Sequence, residues 1–331
     1  MPAHAPLVTV DPVEEAVIEQ APVQLIRAEP KPPPEQFEMV LSRGGVSIDL
    51  PTMRTALTGW AVNPGVEGLD IPATELLQQR AAGQFGSYAV GVDVGAREVF
   101  LPLTLVERSL SDLLTTRSAL DRLTSPYSGE PVRLTVTRPD GTTRWIEGHR
   151  SGAARRWGRE DFFSAGARQS LGLLLICPDP WWHGEPITPK QWHTPESVPF
   201  FPILPVQLSS DRIFSQPRVM DIGGDVPAYP RWTVTGPATS VTATHVESGR
   251  SWTVIGNLGT GTLTVDTDPR IVSTTGMQVT GPGVTQWWGN MQPPFDLWAL
   301  PPGEQTVILD IAGASPETTG QLEVTPLWET A

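Results

Sequence analysis

Only one stretch of this 331-residue chain spaces its apolar residues for a helix. Behind Ser109 and Asp112, which suit a helix start, Leu110, Leu113, Leu114, Leu120 and Leu123 recur at intervals of three, four and seven before residues 126–129 break the run. The spacing predicts a single helix whose leucine stripe lies on a sheet. Elsewhere short runs alternate apolar and polar residues and stop at glycine or proline, of which the chain holds 31 and 35. A chain so punctuated closes a core by pairing strands, and the expected fold class is mainly β.

Along the chain, residues 37–41, a Gly44-Gly45 turn and residues 46–50 predict a hairpin. Residues 51–95 read as a long excursion with one helical turn around 75–82, followed by a strand from Arg97 to Leu105. A second hairpin turns at Pro139-Asp-Gly141, between strands at 132–137 and 142–147. Residues 169–176 form a buried strand, which the two prolines of Cys177-Pro-Asp-Pro180 stop because proline cannot donate to a ladder. From Ala228 onward short strands recur at 231–234, 241–246, 251–255, 262–265, 278–280, 306–311 and 321–325 with no helix between them, which predicts an antiparallel sandwich or jelly roll. Four segments result: an acidic, Pro-rich arm at 1–36, an N-terminal β-sandwich with one helix at 37–185, a Pro-rich connector at 186–227, and a C-terminal β-sandwich at 228–331.

Charge and cysteine content exclude whole classes of function. A net charge of -13 opposes a phosphate-gripping surface, so sequence-specific nucleic-acid binding is not expected. One cysteine, Cys177, permits neither an internal disulfide nor a multi-Cys zinc site. The longest apolar run, residues 173–177, is far shorter than the ~20 residues of a membrane-spanning helix. The N-terminus lacks the basic flank and apolar stretch of a signal peptide. Residues 1–36, with Glu14, Glu15 and Glu19 and a Lys31-Pro-Pro-Pro ending, suit an extended arm lying on a neighbouring subunit.

The densest chemistry is the stretch CPDPWWHGE at 177–185. Cys177 follows four apolar residues and reads as a buried structural thiol, while Asp179 and His183 sit on a rigid turn without a phosphate loop or second carboxylate pattern. Trp181 and Trp182 offer a large apolar surface that closes its own core or docks against another domain. His149, His183, His193 and His245 lack metal-site spacing, and Asp266-Thr-Asp268 reads as a turn. With no P-loop, GxSxG or HExxH, no catalytic, metal or cofactor residue is assigned, and the chain is not expected to be an enzyme. Trp287, Trp288 and Trp298 lie on or beside loops of the C-terminal sandwich, where aromatics stack on sugar rings or meet a partner protein, core filling being the alternative.

The order of these features carries a resemblance. Val99-Phe-Leu-Pro-Leu103, the leucine helix, Leu134-Thr-Val136 with the PDG turn and Arg144-Trp-Ile146, and Pro178-Asp-Pro-Trp-Trp182 resemble the distal tail (Dit-like) proteins of long-tailed, siphovirus-type bacteriophages. Val265-Asp-Thr-Asp268 and Leu300-Pro-Pro-Gly-Glu-Gln-Thr-Val307 are similar to the galectin-like domain many of them carry. The resemblance spans about residues 37–331. It implies a homohexameric ring under the tail tube at the virion tail tip, assembled in the host cytoplasm, passing DNA and projecting galectin-like domains outward. It also implies a tail tube protein above, a tail-tip hub or fibre protein below, and a host glycan as a further partner. No galectin sugar-binding residue carries over, since that family's His-Asn-Arg and Trp-Glu pattern has no match here. The alternative is a carbohydrate-binding adhesion module on the host cell wall. A glycoside hydrolase would need two facing carboxylates ~5–9 Å apart.

Overall fold

The computed structural model describes residues 37–52, 58–83, 85–152, 167–193, 216–268, 278–283 and 286–331. The expected arm at 1–36 lies outside them. In chain order the first elements are β1 (Glu38–Arg43), β2 (Val46–Leu50), β3 (Gly59–Val62), β4 (Thr74–Gln79), β5 (Tyr88–Val94) and β6 (Arg97–Val106), then α1 (Leu110–Leu123), β7 (Val132–Thr137), β8 (Thr143–Arg150), β9 (Arg168–Cys177) and β10 (Trp182–His183). They are followed by β11 (Lys190–His193), β12 (Gln216–Ile222), β13 (Arg231–Thr235), β14 (Ser240–His245), β15 (Ser251–Ile255), β16 (Thr262–Asp266), β17 (Gln278–Thr280), β18 (Met291–Gln292), β19 (Gly303–Ala312), β20 (Thr319–Glu323) and β21 (Leu327–Trp328). The class is mainly β with α1 as the α-helix among the described residues, as the punctuation predicts.

The first core lies inside one antiparallel sheet of order β2-β1-β7-β8-β9-β6-β3. The sheet curls until its end strands meet, where the Val62 N–H donates to the Pro51 carbonyl at 2.9 Å and Thr52 bridges Val62. Period-two alternation sends Val132, Leu134 and Val136 of β7 inward, while β6 and β9 bury longer apolar runs, including Leu101, Leu103, Leu173 and Leu175. Helix α1 starts where expected, with the Ser109 hydroxyl accepting the Asp112 N–H. Its stripe is narrower than the leucines suggest. Leu113, Leu120 and Leu123 reach the core, but Leu110 and Leu114 are 61% and 53% exposed. At about 100° per residue Leu114 points well away from Leu113, and a single sheet covers only one side of the helix.

The expected helical turn around 75–82 is instead strand β4. It pairs with β5 in a separate two-stranded sheet, with a bulge between Leu77 and Gln78. Gly83 and Gly86, both at positive φ, turn the chain back between the strands.

Two five-stranded antiparallel sheets, β11-β20-β13-β16-β17 and β12-β19-β14-β15-β18, face each other across the second core. The Pro-rich stretch at 186–227 supplies an edge strand to each sheet, β11 and β12, rather than acting purely as a connector. Proline is tolerated in β12 because an edge strand has a side that needs no ladder bond. Trp232 sits at the centre of the second core. Its ring centroid is 5.9 Å from Trp192, 5.9 Å from Trp252 and 5.8 Å from Trp298, the last two edge to face. Such pairs add about 0.5–1.5 kcal/mol each beyond burial.

Candidate functional site

The CPDPWWHGE stretch lies where the two cores meet. Strand β9 ends at Cys177, which is fully buried; burial pushes its thiol up to about 12, against the opposing pull of Arg97. A thiol so protonated is no nucleophile at neutral pH. Asp179 accepts the Trp181 N–H at 3.2 Å and lies 2.7 Å from His183 Nε2, and the His183 ring stacks on Trp145 with centroids 4.1 Å apart. This acid and imidazole hold a turn, each largely covered. The two indoles part ways: Trp182 is buried in the first core, while Trp181 packs against the second. Adjacent residues therefore anchor both cores.

The C-terminal segment completes this joint. Strand β21 pairs Trp328 with Trp182 and Leu327 with His183, so a strand following the second sandwich extends the first sheet. Gly184 and Ile187 donate to the carbonyls of Pro326 and Val324, each at 2.9 Å, and Ala331 donates to Leu69 at 2.8 Å. Two arginines fasten the segment from the other side. Arg97, 2% exposed, donates to the carbonyls of Pro180 (2.6 Å), Gly68 (2.8 Å), Glu329 (2.7 Å) and Asp70. Arg144 donates to the Thr330 carbonyl at 2.6 Å and lies over the Trp328 ring, 3.9 Å from its centroid. Glycine is required at Gly184, where a Cβ would sit 2.7 Å from Trp328 Nε1. Sequence reasoning found Trp181 and Trp182 but missed Arg97, Arg144 and residues 326–331. Nothing in the pattern Arg97-Glu-Val distinguishes a buried arginine from a solvated one.

The other aromatic candidates have different fates. Trp298 is fully buried, its ring stacked on His245 at 5.4 Å and edge-on to Trp232, so it presents no face to a ligand. Trp287 and Trp288 are half-buried against the second core. The Trp287 ring lies on Gly281 and Gly256, where a Cβ would approach ring atoms to 2.2 and 2.6 Å. His245 is buried, with Nδ1 2.7 Å from Ser248 Oγ and Nε2 2.8 Å from Gln305 Oε1. At the 266–268 turn, Arg231 pairs with Asp266 at 2.6 Å and the Asp268 N–H donates to the same carboxylate at 3.1 Å. Among the described residues no cluster of three or more His, Cys, Asp or Glu side chains is arranged to hold a metal, and no helix is long and apolar enough to cross a membrane.

Apolar side chains are among those open to solvent. The β4–β5 hairpin exposes Leu76, Leu77, Tyr88, Val90 and Val92, and Phe85 near its tip is 99% exposed. Leu110 and Leu114 of α1 and Tyr127 just beyond it are also exposed. Apolar faces of this kind mark contacts with other molecules.

No protein-family model matches the chain, and no curated protein matches it by sequence. Its fold, however, is known. The crystal structure of the SPP1 Dit protein, described as a paradigm of the hub adsorption apparatus in phages infecting Gram-positive hosts, matches with TM-score 0.58 and 15% identity over 88% of this chain and 98% of that one. The phage P2 baseplate in its activated conformation with calcium matches with TM-score 0.51 and 6% identity over 89% of this chain and 99% of the other. At these identities the likeness is one of fold, and it extends over nearly the whole of both neighbours.

Proposed function

We propose that this chain is a structural protein of a phage tail tip. Six copies close into a ring through the 37–185 region and let DNA pass, and the sandwich at 228–331 projects outward as a galectin-like module. The observation that carries this reading is the fold shared with a phage hub protein across 98% of that chain's length. The interior supports it, because the groups that first suggest chemistry, Cys177, Asp179 and His183, are buried or largely covered where the two cores meet. Partners in this reading are further copies of the chain, a tail tube protein on one side and a hub or fibre protein on the other. The location is the virion tail tip, after assembly in the host cytoplasm. The formal charge of -13 suits a lumen through which DNA must slide without sticking.

The host-glycan alternative has less to work with, since Trp298 is enclosed and Trp287 is laid on two glycines. End-on electron-microscopy class averages of the purified protein test the proposal. Closed particles with six-fold symmetry are expected, and a field of single 35.9 kDa chains at high concentration would refute it.

A further inference from the structure

The turn between β14 and β15 draws a serine, an imidazole and a carboxylate into one chain of hydrogen bonds. Ser248 Oγ lies 2.7 Å from His245 Nδ1, and His245 Nε2 lies 2.8 Å from Gln305 Oε1 and 3.1 Å from Glu247 Oε2. The sequence His245-Val-Glu-Ser-Gly-Arg250 builds this locally. Strand alternation turns His245 inward at the end of β14, where it is 3% exposed and its ring stacks on Trp298. Gly249, at a φ of 67°, reverses the chain, and its N–H donates to the His245 carbonyl at 2.9 Å. The reversal leaves Ser248 exposed at the surface and still within reach of the buried ring.

The neighbours of the ring fix its tautomer. The Gln305 amide nitrogen donates to the Pro302 carbonyl, which turns Gln305 Oε1 toward the imidazole. Nε2 therefore faces two oxygen acceptors and carries the proton, so in the neutral ring Nδ1 is a bare lone pair. The Ser248 hydroxyl donates to that lone pair, while its oxygen accepts the Arg250 N–H at 3.3 Å. Slight burial raises the Glu247 carboxyl, but hydrogen bonds from Thr306, whose N–H donates at 2.8 Å, hold it below the usual carboxylate range. Glu247 is thus ionised at neutral pH, beside the nitrogen across the ring from the serine.

We propose that Ser248 is a nucleophile that takes an acyl group from a small carboxylic ester, with His245 as its base and Glu247 positioning the ring. Nucleophile, base and orienting carboxylate stand in the order that acyl transfer requires. Ser248 Oγ attacks the ester carbonyl carbon and its proton passes to His245 Nδ1. The bond to the alcohol oxygen then breaks, the alcohol leaves with the proton from Nδ1, and the acyl group remains on Ser248 Oγ. A water deprotonated by the same imidazole releases the carboxylic acid and restores the serine. The imidazolium formed in each half is neutralised by Glu247. The Ser248 N–H makes no hydrogen bond among the described residues and is free to donate to the developing oxyanion. Because Ser248 stands on an exposed turn, the acyl group it takes is one small enough to need no pocket of its own. This activity is independent of the ring reading.

The probe is p-nitrophenyl acetate, added to the full chain. A burst of p-nitrophenolate equal to the protein present is expected, with an acetyl group on the Ser248 peptide by mass spectrometry. Cys177, buried and with its thiol pushed up to about 12, does not compete. Ser248→Ala, at an exposed position, is expected to lose both signals. Glu247→Gln, also at the surface, is expected to slow acylation about 10-fold or more, with the half-saturating ester concentration and the circular dichroism of the wild type. No acetyl group on Ser248, a burst that survives Ser248→Ala, or a Glu247→Gln rate equal to wild type overturns the proposal and leaves these bonds as a device that only shapes the turn.

Discussion

Arg97 and Val92 are five residues apart, yet one is 2% exposed and the other 60%. Arg97 gives its donors to four carbonyls from three separate stretches of chain and belongs to a joint where indoles, arginines and a crossing strand lock two cores together. Among the described residues, Val92 belongs to a ribbon with no neighbour in its own sheet beyond its partner strand. The contrast separates what the molecule needs in order to fold from what it holds out to others. Polar groups satisfied internally make a rigid unit, and apolar groups left exposed make an unfinished one.

The sharpest way to break this comparison is to substitute both residues. Arg97→Met leaves buried carbonyls without their donor and should cost about 3 kcal/mol or more, read by urea unfolding. Val92→Ser should stay within about 0.5 kcal/mol of wild type in the unassembled chain. Equal losses would erase the distinction between joint and hairpin. Next in size, Gly184→Ala forces a methyl group against Trp328 and should destabilise by about 1–3 kcal/mol, with a matching fall in thermal midpoint. Gly83→Ala at the hairpin turn, where φ is positive, should cost about 1 kcal/mol and leave the cores intact.

The smallest effect lies at the surface that holds α1 to β8. Burial raises the Asp121 carboxyl, but hydrogen bonds from Arg117 and Arg150, at 2.9 and 2.8 Å, outweigh it and hold the group below the usual carboxylate range. A carboxyl lowered by folding contributes stability above its unfolded pKa of about 4 and loses it as pH falls through the lower folded value. Solvent screening limits this to about 0.5 kcal/mol. Asp121→Asn should therefore flatten part of the acid limb of a stability–pH curve below pH ~4. An unchanged acid limb would show that the pair contributes nothing.

Much of the fold was readable because its punctuation is local. Gly44-Gly45 and Pro139-Asp-Gly141 specify their hairpins within four residues, Ser109 marks the helix start, and alternation alone placed β13 to β17, β19 and β20. The misreadings have a common origin in tertiary context. Glu75-Leu76-Leu77-Gln78-Gln79 is a string of helix formers, and only pairing with Tyr88–Val94 makes it a strand. Strands β11 and β12 were hidden in proline-rich sequence because edge strands accept proline. Trp298, between Phe295 and Pro301, reads like a loop aromatic, but its loop folds across the core and encloses it. The joint was half legible: adjacent tryptophans announce an apolar junction, whereas the partner segment is more than 140 residues away in sequence and carries no local sign of its destination.

The central claim is that this chain works by closing on copies of itself, and native mass spectrometry of the unlabelled protein tests it most directly. The account predicts one dominant species at six times the 35.9 kDa chain mass. A wild-type spectrum dominated by the single chain at tens of micromolar would contradict it.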